Sequence, residues 1–363
     1  MSQSKKKKIY LVLGAVVLAA MAVGAYLGRT VAKVPTESLN TGSRAAGGAA
    51  GDGSGLGELR IVKTYTRKDC SLAPWLIADK LGYFAEEGVK LVFTGEIQPP
   101  QRVPSLISGD NDVSDLHPNA LAVAINGGAK LKGVVRAGLE PAADQDETFR
   151  HMWWFVNPEK YPQVKNFGHL KDIDHNLIFS VITTTSCSDF LANQILDRYG
   201  VPRDKVEWNN MPDVQAIQAL KQGHTDVAGV HPPFYKGMLE AGMLKIADTQ
   251  ETGLAEGVAG LGFYLFREDF IEKNPEAVKG FARAMARAQK WINQNPEQAR
   301  LWTQEAIGVP VSANHYFAED LVIIDEHIEP WLKDLEDHGV IPKGKLSPQD
   351  LVVHDFEKYG QDL

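Results

Sequence analysis

Cysteine is nearly absent: two thiols, Cys70 and Cys187, stand in 363 residues. That is too few for a disulfide framework, although an oxidising compartment would allow one bridge between them. No P-loop, no HExxH run and no Ser-His-Asp signature occurs, so no common hydrolytic or nucleotide-using motif is present. Positive charge is also short. With residues 1–57 set aside, 31 basic side chains face 44 acidic ones, a formal net charge of −13. Such a balance argues against nucleic acid and against an anionic membrane surface as partners. It does not decide the sign of a small ligand, which depends on local groups.

What is present begins with Lys5, Lys6, Lys7 and Lys8, followed from Ile9 to Leu27 by nineteen residues without a charge, "IYLVLGAVVLAAMAVGAYL". The run is long enough to cross a bilayer core as a helix, and the lysines before it predict a cytoplasmic N-terminus. Two fates compete for it. "AMA" at 20–22 resembles a signal-peptidase site. The Gly/Ala/Ser-rich stretch from Asn40 to Gly57 has the composition of a flexible tether. No cysteine follows the apolar run, which excludes a lipid-modified N-terminus, and a tether is of use only to a protein that stays attached. An uncleaved anchor is therefore favoured over a cleaved signal. Residues 1–30 are expected to be a membrane anchor or signal segment and residues 31–57 a tether, with the folded part extracytoplasmic, in the periplasm or on the outer face of the membrane.

From Glu58 onward short β-branched runs alternate with amphipathic helical patterns, which predicts an α/β fold with largely parallel sheets. "LRIVKTYT" reads as a strand, and "SLAPWLIADKLGYFAEEG" as a helix capped by Ser71 and stopped at Gly88. "NDVSDL" is a strand ending at His117, "NLIFSVI" a buried strand, and "TDVAGV" a strand ending at His231. "SDFLANQILDRYG" is a helix opening just after the hydroxyl-rich "TTTSC". In that turn Ser and Asp are expected to cap, as Asp213 is for "PDVQAIQALKQG". From Asp269 the chain reads as helical, with its longest pattern in "NPEAVKGFARAMARAQKWINQNPEQARLW".

The order of these stretches resembles a known family. "APWLIADKLGYFAEEGVKLVF", "SLISGDNDVSDLHPNALAVAINGG", "ANQILDRYGVPRDKVEW" and "AIQALKQGHTDVAGVHPPF", followed by the long helical pattern, are similar in register to the extracytoplasmic solute-binding proteins of ABC importers. Within these the likeness is to the branch that serves nitrate, taurine and other sulfonates, and thiamine-precursor pyrimidines. The resemblance implies a two-lobed type II periplasmic-binding-protein fold, a Venus flytrap, behind the N-terminal transmembrane helix. Residues 58–150 would begin lobe one, 151–262 would form lobe two, and 263–363 would return to lobe one and add C-terminal helices. Crossings are expected near "HMWWFVNPE" and "GLGFYLFRE". The implied partners are a small-molecule solute and ABC permease subunits, with the membrane reached through the N-terminal helix. No nucleic acid and no cofactor is expected, and the protein is expected to be a monomer.

Family ligand loops, carried onto this chain, fall at Cys70, at His117, at Thr185, Ser186, Cys187 and Ser188, and at Asp213 and His231. Many relatives carry Gly, Ser or apolar residues where the two cysteines stand. Cys70, His117, Cys187 and His231 together would suit a thiophilic metal or a metal complex. The first expectation remains a small sulfonate-like or nitrogen-containing organic solute. A Cys/His enzyme on the same fold is the alternative of another class; a fungal pyrimidine-precursor synthase of this fold carries a cysteine-rich segment, which this chain lacks. Arg67, Lys68 and Arg136 could pair with a sulfonate or carboxylate, although loop cations are expected to be solvated, and Trp153, Trp154 and Tyr235 are candidate cleft walls, although one ring of "MWWF" is expected to face the core.

Overall fold

The computed structural model describes residues 58–67 and 70–363. The expected anchor and tether, Lys68 and the side chain of Cys70 lie outside the described residues. Among the described residues no helix is long and apolar enough to cross a membrane.

Twelve strands are described. β1 (Arg60–Thr66) pairs in parallel with β2 (Val89–Glu96). β3 (Val113–Leu116) and β4 (Leu131–Arg136) flank β11 (Phe263–Arg267), both antiparallel to it, and β5 (Gly138–Leu139) pairs with β12 (Tyr316–Phe317). A five-stranded sheet has the order β10 (Leu244–Asp248), β6 (Trp153–Val156), β9 (Val227–Val230), β7 (Leu177–Val181), β8 (Val206–Asn210). There β7 runs parallel to β8 and β9, whereas β6 is antiparallel to both its neighbours. The expectation of largely parallel sheets is corrected to mixed sheets. Its cause is local: β6 and β11 are the first strands after the chain passes from one sheet to the other, and each enters from the opposite end.

Helices cover these sheets. The expected cap at Ser71 is not formed, because a 3-10 turn spans Cys70–Leu72 and the helix Ala73–Lys80 starts after Leu72. Pro74 sits in its first turn, where the missing N–H is no loss. Gly82, at φ 77°, ends this helix well before Gly88 and starts the short helix Tyr83–Glu86. The long C-terminal pattern is two helices, Pro275–Gln294 and Pro296–Ile307, because Pro296 cannot continue the hydrogen-bond ladder. In the first of them Val278, Phe281, Met285 and Ile292 recur at helical spacing on the buried face. Phe281 meets Trp75, Phe84 and Tyr264 at centroid distances of 6.4, 5.7 and 5.8 Å, tying this helix to the β1–β4 side. After Ile307 the chain is not continuously helical, since β12 and irregular backbone precede the helix Glu329–Asp337.

Trp153 and Trp154 point to opposite faces of β6, as strand alternation requires, and both are buried because helices cover both faces. Trp153 stacks on Tyr235 at 4.2 Å and Trp154 packs edge-on to Phe167 at 5.9 Å. Neither these tryptophans nor Tyr235 lines the cavity described next, so their expected role as cleft walls is corrected to core packing.

Candidate functional site

Strand direction builds the site. β7 and β9 are parallel, so Val181 and Val230 end on one side, and His231 follows at once. β6 is antiparallel to β9 with Trp153 opposite Val230, which brings His151, two residues before β6, beside His231. In the other sheet β11 opens opposite the end of β3, with Phe263 facing Leu116. Residues Gly260 to Gly262 thereby meet His117, whose Nδ1 lies 2.7 Å from the Leu261 carbonyl oxygen. A cavity of about 120 Å³ lies among these ends.

Of the residues expected at the site, His117, Thr185, Ser186, Cys187, Ser188 and His231 line this cavity. The Cys70 side chain is not described. Asp213 is displaced one layer back. It does not cap its helix, whose N-cap position is Pro212; instead its Oδ2 accepts from the His231 backbone N–H at 2.9 Å and from His231 Nδ1 at 2.7 Å. Two further cavity residues, His151 and His315, are missing from the expected set. The position of His151 directly before a crossing strand was the available signal. His315 precedes β12 in an irregular segment and carried none.

The turn "TTTSCSDF" forms the expected cap with a twist. Ser186 Oγ accepts from the Ser188 N–H at 3.3 Å, and Asp189 accepts from the N–H groups of Ser186 and Thr185 at 2.8 and 2.9 Å. These side chains occupy three donors and add a carboxylate, so the turn is less open to an anion than its sequence suggested. Thr185 has φ 59°, and it is the one non-glycine residue with positive φ among the described residues. For a β-branched residue that is strained backbone, a conformation that structures maintain mostly at functional turns.

Cys187 is a free, buried thiol. Its Sγ lies 3.4 Å from His231 Nε2. Sγ and one ring nitrogen each of His117 and His151 all lie within 4.8 Å of one another. His151 stacks on His315 at 4.4 Å, and its ring crosses those of His117 and His231 at 5.5 and 5.4 Å. Apart from the neighbouring Cys187 sulfur, the ring nitrogens of His151 have no hydrogen-bond partner, although its backbone N–H reaches Glu140 and Thr249. Glu140 is itself pushed up to about 7 by burial, against the opposing hydrogen bonds from Thr249 and His151. Gly260 makes room for the ring: with φ 78°, a Cβ there would stand 2.5 Å from His151 Nδ1.

Burial would push the Cys187 thiol up, but the charges of His117, His231 and His151 hold it well below its ordinary value. Burial would likewise lower His231, yet Asp213 and then Cys187 raise it well above the usual imidazole range. His117 is raised in the same way by Cys187 and the Leu261 carbonyl. His151 is pushed down to about 4, chiefly by burial, with His231 and His117 adding repulsion. These interactions favour the thiolate form of Cys187 and the protonated form of His231, and disfavour the charged form of His151. Thiol, imidazole and carboxylate follow one another as in a nucleophile relay, and the same donors suit a soft ion.

The expected solvated cations are corrected too. Arg67 is buried and donates to Asp115, and Arg136 is buried and donates to Asp320 at 2.6 Å. Each is held by a carboxylate that the sequence placed far away.

A mixed α/β chain with its cavity at converging strand ends has a periplasmic-binding-protein fold, and solved structures agree. The nitrate-binding protein of Synechocystis PCC 6803 superposes with a TM-score of 0.70 at 15% identity, over 84% of this chain and 89% of that one. A ligand-binding component of an ABC-type import system from Staphylococcus aureus, solved with zinc bound, gives 0.65 at 12%, over 84% and 100%. The chain belongs to the NMT1-like family, whose model matches residues 67–306. The taurine-binding periplasmic protein of Escherichia coli is 28% identical over 54% of this chain, and the match spans 55% of that protein's length.

Proposed function

We propose that the protein is the extracytoplasmic substrate-binding component of an ABC importer, capturing a small sulfonate-like or nitrogen-containing organic solute. The observation that carries this reading is the cavity at the ends of β3, β7 and β9, small enough for one compact solute and lined by polar groups from both sheets. Family membership and the binding proteins it resembles support it. In this reading residues 58–150 and 263–363 make one lobe and 151–262 the other, and hinge closure buries the solute between them. Strand pairing supports this division, since β1–β5, β11 and β12 pair among themselves and β6–β10 make the other sheet. Permease subunits are the partners, and residues 1–30 hold the protein at the outer face of the membrane through the tether.

Thermal melting of the full chain with taurine, alkanesulfonates and nitrate tests this function. A true solute raises the melting temperature, with stabilisation growing as the logarithm of concentration above Kd. Steady conversion of any such compound, abolished by Cys187→Ala, would instead make the protein an enzyme.

A further inference from the structure

The cavity contains more donor chemistry than a small organic anion requires. Three atoms from three separate segments converge there: Cys187 Sγ at a helix start, a nitrogen of His117 at a strand end, and a nitrogen of His151 before β6. We propose that these three side chains hold one thiophilic transition-metal ion of the Zn²⁺ type, leaving a coordination position open to the cavity. This inference rests on the receptor reading, because it names what the same cleft holds.

Geometry supports it first. A tetrahedral ion with bonds of about 2.0–2.3 Å spaces its ligand atoms roughly 3.3–3.6 Å apart. The three atoms here lie within 4.8 Å of one another, so side-chain adjustments of about 1 Å complete the site. Orientation supports it next. His117 Nδ1 is engaged by the Leu261 carbonyl oxygen, which fixes the ring and leaves Nε2 as its ligand atom. His231 is anchored through Nδ1 to Asp213 and presents Nε2 to the sulfur, so it is a positioning residue for the thiolate.

The independent sign is His151. Its side chain is buried, it borders the cavity, and apart from the neighbouring Cys187 sulfur its ring nitrogens have no hydrogen-bond partner. A buried polar atom left unmatched costs about 1–3 kcal/mol, and native structures rarely leave one without a reason. A metal bond to one of these nitrogens supplies that reason. A sulfur with two imidazoles selects borderline and soft ions over Mg²⁺ or Ca²⁺, which prefer oxygen ligands.

The test uses the untagged full chain, freed of metal by a chelator and kept reduced. Titration with Co²⁺, a spectroscopic stand-in for Zn²⁺, should saturate at one ion per chain and give a thiolate-to-cobalt charge-transfer band that Zn²⁺ then abolishes. The band should vanish in Cys187→Ala, and His117→Ala and His151→Ala should each weaken binding tenfold or more. In the unmutated chain Zn²⁺ should protect Cys187 from alkylation, which needs no variant to fold. Co²⁺ binding without the band, or with affinity unchanged in Cys187→Ala, overturns the proposal. Melting of the chelated protein with taurine separates the two readings. Stabilisation by taurine with no cobalt band defeats the metal site and keeps the receptor. A cobalt band with no solute response keeps the metal site and removes the organic solute.

Discussion

His117 and His231 stand at strand ends, while His151 and His315 stand on the segments leading into β6 and β12, and all four share one cavity. Burial disfavours the charged form of each, yet the first two are raised and the last two lowered. The difference lies in the partners. His231 has a carboxylate at 2.7 Å on Nδ1, and His117 has the Leu261 carbonyl at the same distance. His151 has neither a carboxylate nor a carbonyl on its ring; Cys187 opposes the effect of its burial, while His231 and His117 add repulsion. The partners at each ring therefore decide the direction in which burial is overruled or reinforced.

The sharpest way to break this comparison is to make His231 resemble His151. Asp213→Ala removes the anion from a buried pair and leaves the imidazole uncompensated, a loss of about 3–5 kcal/mol in unfolding free energy. Denaturant titration measures it. Alkylation of Cys187 should slow at the same time, because the imidazolium that stabilises its thiolate is weakened. A loss no larger than that of an exposed ion pair, about 1 kcal/mol or less, would mean that Asp213 does not control His231.

The same rule should hold away from the cavity, with the opposite sign of charge. Asp226 is buried, which alone would raise it, but the Ile178 N–H at 2.8 Å, Lys160 at 2.7 Å and Tyr161 at 2.5 Å bring it below the usual carboxylate range. A carboxyl with a depressed folded-state pKa adds stability that is present above its unfolded value, near 3.9, and is lost as pH falls through the folded value. Asp226→Asn should therefore cost about 1–3 kcal/mol at neutral pH. The gap from the unmutated chain should shrink below about pH 4. A gap that grew on acidification would show that the carboxylate is not the stabilising form.

Much of this was legible along the chain. Alternation of apolar runs locates most strands and helices, and the resemblance to the solute-binding family, whose ligand loops lie at strand ends, implies His117, Cys187 and His231. Asp213 was found for the wrong reason: its place at a helix start suggested a cap, whereas its partner lies eighteen positions on. For Arg67 and Arg136 the partners are as distant, because Asp115 approaches only where β3 lies beside β1 and Asp320 comes from the C-terminal segment. His151 stands at the start of an expected crossing segment, but its place beside His231 needs the antiparallel entry of β6, and His315 needs the β5–β12 pairing, neither of which leaves a periodic trace. Local signals locate groups that act beside their own helix or strand end. Groups delivered by a crossing segment are visible only in three dimensions.

The smallest effect concerns the turn that carries the thiol. Ser186 caps the helix Cys187–Tyr199 and Asp189 completes the box, so both the cap and the histidines could be credited with the low thiol pKa. A helix start favours a thiolate by its dipole, an effect of a few tenths to one kcal/mol near the surface. The direct charges of His117 and His231 are the stronger influence on Cys187. Ser186→Ala should therefore cost about 1 kcal/mol in unfolding free energy through the lost cap. It should leave the alkylation rate of Cys187 near that of the unmutated chain, because His231 and Asp213 remain in place. If Ser186→Ala slowed alkylation as much as Asp213→Ala, the helix start and not the carboxylate-held imidazolium would be what activates the sulfur.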